Sequence, residues 1–313
     1  MKRLNSPINF IIKSENSILM SILKINNLNK TYANGVKALD NVTIEIENGM
    51  FGLLGPNGAG KSSLMRTLAT LQEADSGTAT LDDIDIFKEP TELRKVLGYL
   101  PQEFGVYPRI TAEQLLDHMC ILKGITNKKQ RKEMVNYLLD KVNLYDKRNK
   151  SVKGFSGGMK QRVGIAQALI GNPKLIIVDE PTAGLDPGER NRFYNLLADV
   201  GQEVIVILST HIVDDVRELC TNMAIMNLGE IVFQGAPQLA IEELQGKVFQ
   251  KVVSRDELQE YASNYSIISN KMVAGQPLIH IFSESNPANG FAPVTPDLED
   301  VFFSKINTSN VLV

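Results

Sequence analysis

The apolar positions of the chain follow two rhythms. Short continuous runs rich in Ile, Val and Leu recur at Ile22–Asn26, Asn41–Glu47, Met50–Leu54, Val96–Leu100, Leu175–Asp179 and Val204–Ser209. These suit strands, and Leu175-Ile176-Ile177-Val178 has the continuity of a strand buried on both faces of a mostly parallel sheet. Between them the apolar residues take a helical spacing, predicting helices over Lys61–Leu71, Pro187–Val200 and Ile212–Cys220. The alternation is that of an α/β layered domain.

Two regions break it. From Thr111 to about Asn143 only helical patterns occur, over Thr111–Ile125 and Lys128–Val142, and Thr111 with Gln114 fits a capping box. This predicts a helical insertion in the α/β body. Beyond about Gly235, strand-like pieces at Val248–Ser254 and Leu278–Phe282 flank a helical segment at Asp256–Tyr261. Pro296–Lys305 reads as one more helix, opened by Pro296 and Asp297. No internal repeat or low-complexity tract is present. Residues Met1 to Ser21 read as a loose leader, with Met20 a candidate start. The apolar run Phe10–Ile12 ends at Lys13, short of the ~7–15 residues of a signal peptide. Leu175–Val178 and Val204–Leu208 fall far below the ~18–20 residues that cross a bilayer.

At 313 residues, 43% hydrophobic and 22% charged, the chain is neither disordered nor collagen-like and can fill one large domain or two modest ones. The net charge of −3 gives no global basic field, so no nucleic-acid partner is expected. Cys120 and Cys220 have neither metal-ligand nor redox spacing and read as ordinary thiols of a reducing compartment.

The strongest chemical signal is Gly55-Pro56-Asn57-Gly58-Ala59-Gly60-Lys61-Ser62, a full G-x-x-x-x-G-K-[ST] between a strand and a helix. Glycines let the backbone curl so that its N–H groups face phosphate oxygens, and the helix start adds its positive dipole end. Lys61 would reach the β and γ phosphates, and the Ser62 hydroxyl would ligate Mg²⁺. This predicts a nucleoside-triphosphate site. A second element, Leu175-Ile176-Ile177-Val178-Asp179-Glu180, delivers two acids at the carboxyl end of a buried strand, where open α/β sheets place ligands. Asp179 would hold Mg²⁺, and Glu180 would orient or deprotonate an attacking water. Third, Ser156 precedes Gly157, Gly158 and the helix-like Val163–Ile170. Local sequence reads this equally as an anion-binding helix start or as an ordinary capped helix.

These motifs, with the Pro181–Pro187 segment after Glu180, stand in the order of ATP-binding cassette (ABC) ATPases, which the chain resembles from about Leu23 to Gly235. The resemblance implies a P-loop NTPase cassette over residues 22–235. Its fold would be α/β, with a mostly parallel core sheet, an antiparallel β subdomain and a helical subdomain near 103–170. Residues 1–21 would be the leader and 236–313 a small α+β extension. ATP and Mg²⁺ are the implied ligands, with Gly55 through Ser62 and Ser63 on the nucleotide and Ser62, Gln102 and Asp179 toward the metal. Tyr32 resembles the aromatic that stacks on adenine, and Gln102 the glutamine that senses Mg²⁺ and water. Asp186, in Ala183-Gly184-Leu185-Asp186, resembles the loop crossing the dimer interface, and His211 the switch histidine at the γ-phosphate. Each also has a plainer reading. Tyr32 could be a surface tyrosine, Asp186 a helix cap before Pro187, and His211 a structural histidine, while Gln102 carries almost no signal of its own. His118 and His280 match nothing in the pattern.

One departure stands out: the common signature is Leu-Ser-Gly-Gly-Gln, and here Phe155 and Met159 replace the outer residues. The Ser-Gly-Gly-Met-Lys form is similar to an exporter branch related to drug, antibiotic and lipid efflux. The tail Thr295–Phe303 resembles a C-terminal segment of that branch, or else is a plain amphipathic helix. The family implies two cassettes sandwiching two ATP molecules, the Gly55–Ser62 loop of one facing Ser156–Gly158 of the other, with Lys61, Gln102, Glu180 and His211 catalytic. A separate transmembrane permease subunit would dock near Gln102–Ile110 and Thr111–Ile125, placing the chain on the cytoplasmic face of the cell membrane. The alternative is a soluble ABC ATPase acting on ribosomes or DNA. A single phosphate loop, without long coiled coils or a basic linker, argues against it.

Overall fold

The apolar runs of the sequence become the strands of three sheets in a computed structural model that describes residues 20–102, 105, 109–182 and 185–310, the last four as backbone alone. All but the last two residues of the Met1–Ser21 leader, most of the Gln102–Ile110 segment and Ala183-Gly184 lie outside the described residues. Ser21 is not loose: it is buried, its N–H donating to Asn48 Oδ1 and its hydroxyl to Asp82 Oδ2.

The first elements are an antiparallel pair, β1 (Ile22–Thr31) and β2 (Lys37–Glu47), and then β3 (Gly49–Leu54), which leads through the glycine-rich loop into α1 (Lys61–Leu68). β4 (Ser76–Leu81), β5 (Ile84–Asp85), α2 (Pro90–Val96) and β6 (Leu97–Leu100) follow. A helical section holds α3 (Ala112–Leu122), α4 (Lys128–Lys141) and α5 (Gly157–Ala168). The alternation resumes with β7 (Leu175–Asp179), α6 (Pro187–Gly201), β8 (Ile205–Thr210) and α7 (Val213–Leu219). A hairpin of β9 (Asn222–Asn227) and β10 (Glu230–Gly235) comes next, then α8 (Pro237–Glu243) and β11 (Val248–Val252). The chain continues through α9 (Leu258–Asn264), β12 (Ile267–Val273), β13 (Gln276–Phe282), β14 (Ala292–Pro293) and α10 (Leu298–Asn310).

The central sheet has the order β10-β9-β3-β8-β7-β6, parallel except at the β9–β10 edge. The alternation of each strand explains its continuous apolar run. Ile176, Val178, Val206 and Leu208 point into one core with α5, α6, α7 and the helical section. Leu175, Ile177, Ile205 and Ile207 point into the other, with α1 and the sheet β2-β1-β4-β5. A strand buried on both faces needs an apolar side chain at every position, each contributing about 1.5–3 kcal/mol by leaving water. The same geometry carries the carboxyl ends of β3, β7 and β8 to one edge of the sheet.

The capping box at Thr111 forms as predicted: the Thr111 hydroxyl accepts from Gln114 N, and the Gln114 side chain accepts from Thr111 N. Val96, predicted to open a strand, instead ends α2, and β6 begins one residue later. Strands β4, β5, β9, β10, β12 and β14 are not among the predicted ones. The third sheet, β12-β13-β11-β14, lies in the carboxyl-terminal part. Its helix α10 is not peripheral, because Leu298, Val301 and Phe302 join the core that holds Val216, Met223 and Ile225.

Candidate active site

The loop from Gly55 to Gly60 joins β3 to α1, and its curl depends on glycine. Gly60 has φ +109, and a Cβ there would lie 2.3 Å from Ala38 O. Lys61, only 4% exposed, donates from Nζ to Gly55 O at 2.7 Å and Pro56 O at 3.1 Å. Burial draws its ammonium below its ordinary pKa, while the carboxylates of Glu180 and Asp179 pull it back. A cleft of about 460 Å³ opens over this loop, lined by Asn57, Gly58, Ala59, Gly60, Lys61, Ser62 and Ser63 with Tyr32, Gln102 and Glu180. Tyr32 is held at its rim, with its hydroxyl 3.0 Å from Ser63 Oγ and donating to Gln72 Oε1 at 3.1 Å. Gln72, which carried no signal in the sequence, ties this corner together by also donating to Ser63 O and Thr67 Oγ1.

Opposite the loop, three elements converge on one carboxylate. Gln102 Nε2, just past β6, donates to Glu180 Oε2 at 3.1 Å. His211 Nδ1, just past β8, lies 3.2 Å from Glu180 Oε1. A carboxylate only accepts, so this contact puts the imidazole proton on Nδ1 and, in the neutral ring, leaves Nε2 as an acceptor. Glu180 itself has φ +45, in the left-handed region that costs a non-glycine residue, and its N–H donates to Ser209 O at 2.9 Å.

Beneath this trio Asp179 is 4% exposed, and its Oδ1 has no hydrogen-bond partner. Burial raises its pKa, offset in part by the hydroxyls of Ser209 and Ser62 and by Lys61. A buried acceptor of this kind beside the Ser62 hydroxyl suits a hard cation such as Mg²⁺. No cluster of three or more His, Cys, Asp or Glu able to hold a metal exists among the described residues. Gln102, which also lines the cleft, would add a side-chain oxygen, and the rest of such an ion's ligands would be phosphate oxygens and water.

Ser156, Gly157, Gly158 and Asp186 do not line the cleft. Ser156 caps α5, accepting from Met159 N at 3.2 Å, and its hydroxyl donates to Glu189 Oε1 on α6 at 3.2 Å. A Cβ on Gly158 would meet that same Glu189 carboxylate at 2.2 Å. Phe155 and Met159, the departures from the common signature, pack into the core. Asp186 caps α6 by accepting from Glu189 N at 2.8 Å. Of the other histidines, His118 is exposed and His280 is buried against Asp300. Both cysteines are buried and free, and burial pushes the Cys120 thiol up to about 11.

The ABC transporter family profile matches residues 39–183. The probable multidrug ABC transporter ATP-binding protein YbhF of Escherichia coli is 34% identical over 266 residues, covering 80% of this chain and 46% of YbhF. The chain thus spans about half the length of that relative. The ABC transporter ATP-binding protein NatA of Bacillus subtilis is 39% identical over 204 residues, 64% of this chain and 82% of NatA. The chain belongs to the ATP-binding proteins of ABC transporters. It is an ABC ATPase. The methionine import protein MetN 1 of Bacillus thuringiensis is also similar, at 38% over 224 residues, 68% of this chain and 66% of MetN 1. Among solved structures, the dimeric ABC cassette MJ0796 superposes with a TM-score of 0.63 at 28% identity, covering 68% of this ABC ATPase and 98% of MJ0796. The same cassette has also been solved in a post-hydrolysis state with ADP and Pi.

Proposed function

We propose that this ABC ATPase binds ATP with Mg²⁺ in the cleft over Gly55–Ser63 and hydrolyses it to drive export through a separate transmembrane permease. Tyr32 would stack on adenine, the loop and Lys61 would cradle the phosphates, and Ser62, Asp179 and Gln102 would hold Mg²⁺. The metal, when bound, supplies charge neutralisation for the phosphates. The chain's own residues do the positioning. Glu180, held by Gln102 on one oxygen and His211 on the other, would orient and accept a proton from the attacking water. Lys61 and the helix terminus would steady the charge that spreads over the transferred phosphoryl group. Ser156–Gly158 and Asp186, absent from the lining of this chain's own cleft, would face the nucleotide of a second cassette, which makes the working unit a dimer.

The convergence of Gln102 and His211 on the two Glu180 oxygens, at 3.1 and 3.2 Å, is the observation that carries the hydrolytic reading. The export direction rests on the Ser-Gly-Gly-Met-Lys signature and on the likeness to YbhF, whose name says multidrug; the likeness to MetN 1 weighs the other way. No helix among the described residues is long and apolar enough to cross a membrane; in this reading the membrane path would belong to another chain, with this one on the cytoplasmic face. Residues 22–235 would act as the cassette, with the helical subdomain near 103–170 as the docking part, and 236–313 as its extension.

Affinity purification of a tagged Glu180→Gln chain from detergent-solubilised native membranes with ATP tests the whole reading. A stoichiometric polytopic membrane protein is the expected companion. Recovery with ribosomes or nucleic acid instead would overturn the transport reading and leave the nucleotide site standing.

A further inference from the structure

Behind the catalytic edge lies a charge that neither the phosphate loop nor the water-facing trio uses. Asp215, in the first turn of α7, is completely buried. Its Oδ2 accepts from Thr182 Oγ1 at 2.7 Å and from Thr210 Oγ1 at 2.8 Å. Its Oδ1 accepts from the Tyr194 hydroxyl of α6. Thr182 and Thr210 are each 1% exposed and Tyr194 5%, so these bonds form away from solvent. Burial, and then the bond to Asp215, push the Tyr194 phenol above its ordinary pKa, which keeps its proton on the tyrosine as a donor.

The positions of the two threonines make this more than a satisfied core carboxylate. Thr182 follows Glu180 by two residues, and Thr210 immediately precedes His211. Thr210 Oγ1 also accepts from Ile212 N at 3.0 Å, which fixes the backbone on the far side of the histidine. The backbone on which Glu180 stands and the backbone that carries His211 therefore meet at a single carboxylate oxygen. A buried carboxylate is expensive to desolvate, and an apolar residue of similar volume would fill the same space more cheaply.

We propose that Asp215 is a positioning residue for hydrolysis. By binding Thr182 and Thr210 to one oxygen it sets the separation of Glu180 from His211, and through Tyr194 it anchors that setting to α6. The proposal rests on the reading that Glu180 and His211 act on the attacking water.

The test is a set of purified variants: Glu180→Gln, Thr182→Val, Thr210→Val, the Thr182→Val/Thr210→Val pair, Thr182→Ser, Thr210→Ser and Tyr194→Phe. For each, kcat and KM for ATP, affinity for a non-hydrolysable ATP analogue, and Tm are measured. Losing a hydrogen bond to a charged group predicts a fall in kcat of about tenfold or more for each Thr→Val change, with analogue affinity nearly unchanged. The pair should lose little more than the worse single variant, because both hydroxyls act through one atom. Either serine, keeping the hydroxyl, should restore kcat. If kcat instead follows Tm across all the variants, Tyr194→Phe included, Asp215 is a packing residue and the proposal is wrong. Losses that multiply in the pair also overturn it. Failure of the underlying reading has its own signature, undiminished turnover in Glu180→Gln, and it removes the proposal as well because no hydrolytic pair would remain to be positioned.

Discussion

Lys61 and Glu180 face each other across the cleft and should fail differently when changed. Lys61 is buried beneath the loop with an ammonium bound to two of its carbonyls, so Lys61→Ala removes charge from the phosphate seat and loosens the loop itself. We expect it to weaken ATP binding and hydrolysis together. Glu180→Gln keeps the shape and a hydrogen-bonding group but removes the proton acceptor, and general-base catalysis is worth about 10²–10⁴-fold. Turnover should fall by that order while affinity stays within a few-fold; turnover near wild type with Gln at 180 would remove the assignment. Parallel measurement of ATP turnover and fluorescent-nucleotide titration separates the two outcomes. Both residues were legible in the sequence, Lys61 because a phosphate loop demands that spacing and Glu180 because it follows a buried strand. Gln72, Glu189 and Asp215 were not. Each is an ordinary polar residue in its local sequence and gains its role only from partners at least 21 residues away or on another element, as with Tyr194 for Asp215.

Among the elements, β3, β7 and β8 were readable because burial on both faces forces unbroken apolar runs. The strand β4, Ser-Gly-Thr-Ala-Thr-Leu, buries only Ala79 and Leu81 and has no such run. The sequence of β9, Asn-Met-Ala-Ile-Met-Asn, is almost wholly buried but is built of residues with modest strand preference. Helix α5 was readable from its cap, yet the neighbour of that cap was not. Glu189 of α6 takes the Ser156 hydroxyl and sets a carboxylate at the start of α5, where an arriving phosphate would need both the hydroxyl and the positive helix end. Glu189→Ala should therefore favour nucleotide engagement at this terminus. A carboxylate at the positive helix start is worth about 0.3–1 kcal/mol there, so freeing that terminus for phosphate corresponds to roughly a two- to fivefold decrease in KM for ATP. Steady-state kinetics would show it, and an unchanged or raised KM would mean that Glu189 supports the cap without competing for it.

At the scale of the whole molecule, the carboxyl-terminal part shares its core with the ATPase body, and this governs how it unfolds. Leu298, Val301 and Phe302 of α10 pack with Val216, Met223 and Ile225, whereas β11 and β13 add a smaller cluster around Phe249, Ile279, Ile281 and Phe291. Separate unfolding of the carboxyl-terminal part would tear α10 from the main core, so calorimetry should record one principal transition. Asp300 fastens α10 to the third sheet. Its Oδ1 lies 2.7 Å from His280 Nδ1 on β13, and its Oδ2 accepts from Asp297 N at 3.1 Å. Burial alone would raise its pKa, but the His280 ring, the Asp297 N–H and nearby Lys271 outweigh burial and hold it below the ordinary carboxylate value. A carboxylate depressed in the folded state adds stability above its unfolded pKa of about 4, and that stability is lost as pH falls through the folded value. Asp300→Asn should thus lower stability at pH 7 by about 1.5–3 kcal/mol, the worth of a charged hydrogen bond. The difference from wild type should shrink as acid protonates Asp300 in the native chain. Denaturant unfolding at pH 7 and at successively lower pH measures both effects, and a deficit that stays constant into acid would show that Asp300 holds α10 by shape and not by its charge.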